Sequence, residues 1–177
     1  ENAEPSRSTF KNRNAWTGSL IKGMDASFSF ENKFSPSRDF SHSREIFSAA
    51  SRFSFFENWE DKYQYLIDLG RNVPKMDEKL KVDENKLKGC QSVVYFSNSV
   101  NNDGSIHFMA NSDAAIVQGL IALMLKVYSG RKPQEILDID TNFLEQIGLD
   151  EHLSPTRKNG LSSLISSIKN VAKLELV

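Results

Sequence analysis

Cysteine is almost absent from this sequence, and its scarcity limits the chemistry that the chain can support. Cys90 is the one cysteine among 177 residues. A single thiol cannot form a disulfide within the chain, and it cannot supply a metal site that needs paired cysteines. The three histidines, His42, His107 and His152, also lack the spacing of metal ligands. The sequence therefore predicts no metal site, and a lone cysteine is typical of a reducing compartment.

Long apolar runs and an excess of one charge are missing as well. The 22 Lys and Arg residues nearly balance the 23 Asp and Glu residues, and the two signs are mixed along the chain. This mixture gives no reason to expect nucleic acid as a partner. The longest apolar runs, such as residues 116–125, are far shorter than the roughly 20 residues that a membrane-spanning helix needs. Neither a nucleic-acid partner nor a membrane is therefore expected.

The first 44 residues differ in composition from the remainder. They are rich in Ser, Asn, Arg and Phe, and they show no sustained apolar periodicity. Enrichment in Ser and Arg is found in organelle transit segments, but acidic residues such as Glu31 and Asp39 argue against one. We expect residues 1–44 to form an N-terminal arm, whose order and origin the sequence leaves open, and residues 45–177 to form the domain. A bacterial cytoplasmic location is expected, with an organelle stroma or matrix as the alternative.

The early part of the domain has the pattern of an amphipathic helix. Apolar residues from Trp59 to Ile67 recur at the spacing of one helix face. Asn58 precedes them, and its side chain can accept a hydrogen bond from a free backbone N–H of the first turn. Gly70 is expected to end this helix as its C-cap.

A β-hairpin is predicted next. Residues 91–99 contain a run of strand-forming side chains, and residues 106–110 form a second run. Between them lies an Asp-Gly pair, Asp103 and Gly104, which suits a tight turn. Cys90 would then lie on the loop at the entrance of the first strand.

Helical patterns fill the rest of the chain. Ser112 is expected to cap a central buried helix, and Asp113 to favour its positive end. Further helices are predicted over residues 133–137, from a cap at Thr141 through Ile147, and over residues 155–174. The order of elements predicts an α+β fold in which a small antiparallel sheet packs against helices. A third strand is also expected, although the pattern does not place it.

The segment Lys88-Gly89-Cys90-Gln91-Ser92 resembles the active-cysteine loop of the SufE family, which includes the CsdE branch. Four residues of Gly-Cys-Gln-Ser are a short match, but further matches follow in the family's order over residues 55–171. These matches are residues 58–63, 68–70, 111–117, 119–120, 129–130, 133, 147–149, 152–157 and 159–161. One departure is Tyr95, where many members have Trp.

The resemblance implies both a fold and an activity. The implied fold is the SufE-like α+β domain, with the cysteine loop at a strand entrance. The implied activity is that of a sulfur acceptor: it takes persulfide sulfur from a cysteine desulfurase, SufS-like or CsdA-like, and enhances the turnover of that enzyme. The sulfur then passes to a cluster scaffold, SufB-like, for iron–sulfur cluster assembly. Pyridoxal phosphate belongs to the desulfurase, so no bound cofactor is expected in this chain.

Cys90 is the residue on which a persulfide would form. Only a few per cent of an ordinary cysteine, with a pKa of about 8.5, is ionised near neutral pH, so a neighbouring cation would help. Arg157, which matches the family's C-terminal signature, is expected near the Cys90 loop. The alternative is that Arg157 caps or braces the last helix. Lys88, two residues from Cys90, is the other candidate cation, but it is expected to be a solvated loop charge.

Four other residues are candidates for supporting Cys90 or binding the partner. Gly89 is expected to allow unusual backbone angles and movement of the loop, or to be a simple turn glycine. Gln91 and Ser92 could form hydrogen bonds within the loop or begin the strand. Asp113 is expected to stabilise its helix start and to influence the loop or the partner interface.

Other functions compatible with these residues stay open. The chain could activate the desulfurase as an adaptor without carrying sulfur, or it could relay sulfur to a non-cluster acceptor, as in the CsdE branch. A stand-alone thiol enzyme is disfavoured, since no histidine is placed beside Cys90 in the sequence. We therefore expect no turnover without a partner.

Overall fold

The computed structural model describes residues 52–53 and 55–176. The predicted arm, residues 1–44, and the domain boundary at residue 45 lie outside the described residues. The helices and strands are α1 (Trp59–Arg71), two short 3-10 helices (Glu78–Leu80 and Asp83–Asn85), β1 (Val94–Val100), β2 (Ile106–Ser112), α2 (Ala115–Tyr128), α3 (Pro133–Asp138), α4 (Phe143–Gln146), α5 (Leu149–His152) and α6 (Pro155–Leu174). The α+β fold class is confirmed.

The predicted hairpin is present. β1 and β2 pair antiparallel from Val94 opposite Ser112 to Val100 opposite Ile106. The turn between them is closed by Asp103, whose carboxylate accepts hydrogen bonds from the backbone and the hydroxyl of Ser105 at 2.9 and 2.6 Å. β1 begins at Val94, three residues later than residues 91–99 predicted.

A third strand is not formed in the part of the chain that the structure describes. Each strand of the hairpin instead gains one isolated bridge, Lys86 to Tyr95 on β1 and Ile106 to Arg131 on β2. Beyond Arg131 pairing stops because Pro133 begins α3, and proline has no N–H to donate to a sheet.

Helix α2 lies at the centre of the core, as predicted. It packs against α1, β2 and α6. Most of its residues from Gly119 to Tyr128 are buried, and they share one apolar core with Leu66 of α1, Phe108 of β2 and Ile168 of α6. Among the described residues, none of the helices combines the length and the apolar character that crossing a membrane requires.

The start of α1 was predicted correctly, and its end was not. The Asn58 side chain accepts a hydrogen bond from the Asp61 N–H at 2.8 Å, which is the expected N-cap. Gly70 does not end the helix, which continues to Arg71. It is buried against Gly119 of α2, where a Cβ on Gly70 would lie 2.8 Å from the Gly119 nitrogen. Gly70 therefore allows two helices to approach closely, and sequence-local capping rules do not detect that role.

Two other predicted caps were wrong by one or two residues. Ser112 is the last residue of β2, and α2 begins at Ala115 with Ala114 in the cap position. The hydroxyl of Ser112 still accepts a hydrogen bond from the Ala114 N–H at 3.3 Å. Similarly, α4 begins after Asn142 rather than Thr141. In both places the preceding extended or turn backbone persists further than the cap residue alone predicts.

Candidate functional site

Cys90 lies on a loop that is closed at its base by backbone pairing. The Leu87 N–H donates to the Val94 carbonyl at 2.9 Å, so residues 88–93 form the loop between them. At its far end the loop is held by Ser112, whose hydroxyl donates to the Val93 carbonyl at 2.9 Å. Since both anchors belong to the hairpin or its edge, the sheet fixes the ends of the loop while its middle lies against α6.

The Cys90 side chain is half-buried against α6. Its thiol donates a weak hydrogen bond to the Gly160 carbonyl, with 3.7 Å between sulfur and oxygen. Burial raises the pKa of the Cys90 thiol above its usual value, because the thiolate loses hydration there. In this arrangement Cys90 is a protected thiol rather than an activated one.

A cleft of about 330 Å³ opens beside Cys90. This volume lies at the lower end of the range typical of small-ligand sites. Its apolar walls come from Leu87 and Val94, which flank the loop, and from α2 and α6, and its polar lining comes from the loop and the start of α6. The lining residues are Leu87, Cys90, Gln91, Ser92, Val94, Val117, Leu120, Ile121, Ser154, Thr156, Arg157, Gly160, Leu161 and Leu164.

The structure brings together some of the predicted site residues. Gln91, Ser92 and Arg157 line the same cleft as Cys90. Gln91 and Ser92 lie before β1 and do not begin the strand. Asp113 is exposed between β2 and α2 and is not among the cleft-lining residues. Its influence on the loop or a partner therefore stays a prediction.

Gly89 and Lys88 lie on the other side of the loop. Gly89 has a φ of 87°, a left-handed conformation that few side chains tolerate, so the expected unusual backbone is present. Lys88 is exposed, as expected, and lines a separate open groove rather than the cleft.

Arg157 is the third residue of α6 and is exposed. A cation in the first turn of a helix is disfavoured by the helix dipole, so Arg157 does not serve the stability of α6 through that dipole. Within the part of the chain that the structure describes, it forms no salt bridge. Bracing of the last helix, the alternative for this residue, gains no support from these contacts.

The approach to α6 is braced by aromatic residues instead. His152 stacks on Trp59 with 3.7 Å between ring centroids, and the Tyr63 hydroxyl donates to the His152 carbonyl at 2.6 Å. These contacts join α1 to the segment just before Pro155, where α6 begins. His152 is not among the cleft-lining residues, so its contacts are those of a packing residue rather than a base for Cys90.

Gly160 and Ser163 were missed as contacts of the cysteine loop. A Cβ on Gly160 would lie 3.2 Å from the Cys90 sulfur, and a Cβ on Gly89 would lie 2.8 Å from the Ser163 hydroxyl oxygen. The sequence held one signal: an isolated glycine inside a strong helical pattern weakens the helix, and a packing contact is one reason to keep it. No comparable signal distinguishes Ser163 from the other serines of α6.

Fold and site together define a small α+β protein with one sheltered thiol on a loop beside an open cleft. A family model described as SufE, Fe-S metabolism associated domain, matches residues 48–172. A SufE-like protein of Rhizobium meliloti is 43% identical over 125 residues, which is 68% of this chain and 89% of the relative. A SufE-like protein of Rhizobium etli is 40% identical over 126 residues, covering 69% and 85%. The chain belongs to the SufE family.

The fold has a counterpart among solved structures. The solution structure of a hypothetical protein from Thermus thermophilus matches with a TM-score of 0.63 and covers 75% of this chain and 96% of that one. At 19% identity this likeness shows the fold alone. The resemblance inferred from the cysteine loop and the later motifs is confirmed, and the family description associates the domain with iron–sulfur metabolism.

Proposed function

We propose that Cys90 accepts sulfur from a cysteine desulfurase as a persulfide, speeds the turnover of that enzyme, and delivers the sulfur for iron–sulfur cluster assembly. The SufE family works with cysteine desulfurases in iron–sulfur metabolism, which supports this partner class. The observation that carries the proposal is the placement of the chain's single thiol on a loop beside an open cleft.

The transfer is a thiol exchange at sulfur. The Cys90 thiolate attacks the outer sulfur of a persulfide held on the desulfurase cysteine, and a new S–S bond forms at Cys90. The original S–S bond breaks, and the desulfurase cysteine leaves as a thiolate. In the delivery step an acceptor nucleophile on a SufB-like scaffold attacks the outer sulfur, and Cys90 leaves as a thiolate. Pyridoxal phosphate is the cofactor of the SufS-like or CsdA-like desulfurase and serves the release of sulfur from L-cysteine, before this exchange.

The half-buried position of Cys90 suits a carrier between transfers. Its raised pKa keeps the thiol protonated and slow to react with other oxidants or disulfides. The Cys90 thiol is bound to α6 by one weak hydrogen bond to the Gly160 carbonyl, which docking of a partner can break. Arg157 lines the cleft and would stabilise the thiolate or persulfide anion once the thiol turns into the cleft.

One observation favours a second candidate, an adaptor that activates the desulfurase without carrying sulfur. A cysteine that is half-buried, hydrogen-bonded inward and raised in pKa also fits a packing role. The two functions differ in what Cys90→Ser does: an adaptor would still stimulate the desulfurase, whereas a carrier would not. A CsdE-like relay to a non-cluster acceptor uses the same exchange and differs in the final acceptor.

Intact-mass spectrometry tests the carrier function directly. The protein is incubated with a desulfurase, pyridoxal phosphate and L-cysteine. We expect a gain of about 32 Da per sulfur that reductant reverses, because the persulfide is a thiol adduct of Cys90. Cys90→Ser is the control and should gain nothing. If the wild type stimulated the desulfurase but gained no mass, the carrier function would be contradicted and the adaptor function supported.

A further inference from the structure

Gly160 occupies a position where glycine is unfavourable for the helix itself. It is the sixth of the 20 residues of α6, well inside the helix. Glycine there loses more backbone freedom on folding than alanine would, and it weakens the helix. A contact outside the helix must therefore account for the missing side chain.

That contact is Cys90. A Cβ built on Gly160 has three nearest neighbours, and all belong to Cys90: the sulfur at 3.2 Å, the Cβ at 3.8 Å and the Cα at 3.9 Å. The distance to sulfur is tighter than an ordinary contact, whereas the other two are ordinary. The volume that an alanine methyl would fill at residue 160 is thus partly taken by the thiol.

The same face of α6 receives the neighbouring loop residue. Ser163 follows Gly160 by three positions, which places both on one side of the helix. Gly89 approaches Ser163 so closely that a Cβ on Gly89 would lie 2.8 Å from its hydroxyl oxygen. Residues 89 and 90 therefore rest on a single turn of α6.

We propose that Gly160 is a positioning residue for the sulfur-transfer site. Its lack of a side chain leaves room for the Cys90 thiol to lie inward, and its carbonyl accepts the hydrogen bond of the thiol. Together these limit the exposure of the sulfur. This inference rests on the proposed function only for its biological meaning, since the position of the thiol can be measured without any partner. A methyl group at residue 160 would displace Cys90, because the loop is tied only at its ends while α6 is held by its own hydrogen-bond ladder.

The first test is the alkylation rate of the isolated protein with iodoacetamide. Gly160→Ala should react several-fold faster than the wild type, and the pH midpoint of its reaction should move down toward that of an ordinary cysteine. Asn170→Ala is the matched control, an exposed position on the same helix that should leave both values unchanged. An unchanged rate and midpoint in Gly160→Ala would overturn the proposal, whatever happens with a desulfurase.

The second test asks whether the cost of the methyl comes from Cys90. In a Cys90→Ala background the close sulfur is gone, so Gly160→Ala should raise the melting temperature by about 2–4 °C through better helix propensity. In the Cys90 background that gain should be smaller or reversed. Failure of Gly160→Ala alone to fold, with a stable double variant, would also support the proposal. Equal shifts in both backgrounds would contradict it.

Discussion

Two close approaches in this molecule depend on glycine, and they differ in what lies opposite. In the core, Gly70 of α1 meets Gly119 of α2, and the nearest atoms to an added Cβ are those of the other helix's backbone. At the site, Gly89 and Gly160 bring the cysteine loop against α6, and the nearest atoms are the side chains of Ser163 and Cys90.

This difference separates a permanent contact from a reversible one. A backbone opposite a glycine cannot rotate away, so α1 and α2 are packed at a fixed distance. The sulfur of Cys90 can rotate away from Gly160, because its thiol is bound there only by a weak hydrogen bond to the Gly160 carbonyl. Glycine therefore fixes the distance between two helices in the core, whereas at the site it allows the Cys90 sulfur to be buried reversibly.

Gly119→Ala should have the largest effect on stability. The new Cβ would overlap the Leu66 carbonyl of α1, and neither backbone can yield without separating the helices. We expect the free energy of unfolding to fall by about 3 kcal/mol in urea titrations, in line with severe overpacking. Lys126→Ala, on the exposed side of α2, should stay near the wild-type value. A small loss in Gly119→Ala would show that the core contact can also relax.

Gly89→Ala should cost less and should affect the thiol. The positive φ of residue 89 alone costs roughly 1–2 kcal/mol for a residue with a Cβ. Gly104 supplies a matched control, since its φ is 80° but nothing lies near its added Cβ. Both alanine variants should lose similar stability, whereas only Gly89→Ala should speed alkylation of Cys90. Equal alkylation rates would mean that the contact with Ser163 does not position the loop.

Tyr128→Phe tests the core side of the comparison through a polar atom. The Tyr128 side chain is fully buried, and its hydroxyl has no hydrogen-bond partner among the described residues. Removing an unsatisfied buried hydroxyl should raise the free energy of unfolding by about 1 kcal/mol at pH 7. A loss of similar size would show that the hydroxyl does have a partner.

The same variant predicts a change in alkaline stability. Burial first, and then the negative charge of Asp140, raise the pKa of Tyr128 to about 12. Since tyrosine in an unfolded chain titrates near pH 10, this residue favours folding less and less as the pH rises from about 10 to 12. The free energy of unfolding, measured across that range, should fall less steeply with pH in Tyr128→Phe than in the wild type.

Arg157→Gln should change stability least, by within about 0.5 kcal/mol, because the residue is exposed. If its charge stabilises the Cys90 thiolate or persulfide in the cleft, sulfur transfer from a desulfurase should slow several-fold. Lys173→Gln, exposed near the other end of α6, provides the control for a lost positive charge. Equal transfer rates in both variants would show that the charge of Arg157 does not contribute to sulfur transfer.

Local patterns predicted much of the fold because the forces involved are local. The hairpin was found from two β-forming runs and an Asp-Gly turn, and α6 was predicted with the bounds 155–174 that it has. The N-cap at Asn58 depends on a bond across three residues. Such features need only the neighbours in the chain.

The site was predicted in part. Cys90, Gln91, Ser92 and Arg157 share one cleft, and the link to Arg157 came from the family's C-terminal motif rather than from periodicity. Gly160 was quoted only as part of that motif. Its contact with Cys90 joins residues 70 positions apart, and sequence patterns carry no information on such a distance.

By itself, the sequence determined the single thiol, the hairpin that carries its loop, the helix that borders its cleft, and the family. Only the tertiary structure decided that Gly70 lets two helices pack closely rather than ending one, and that Gly160 leaves room for the thiol to lie inward. The physical reason is common to both: a glycine's role depends on which atoms approach from distant parts of the chain, and that is settled by packing.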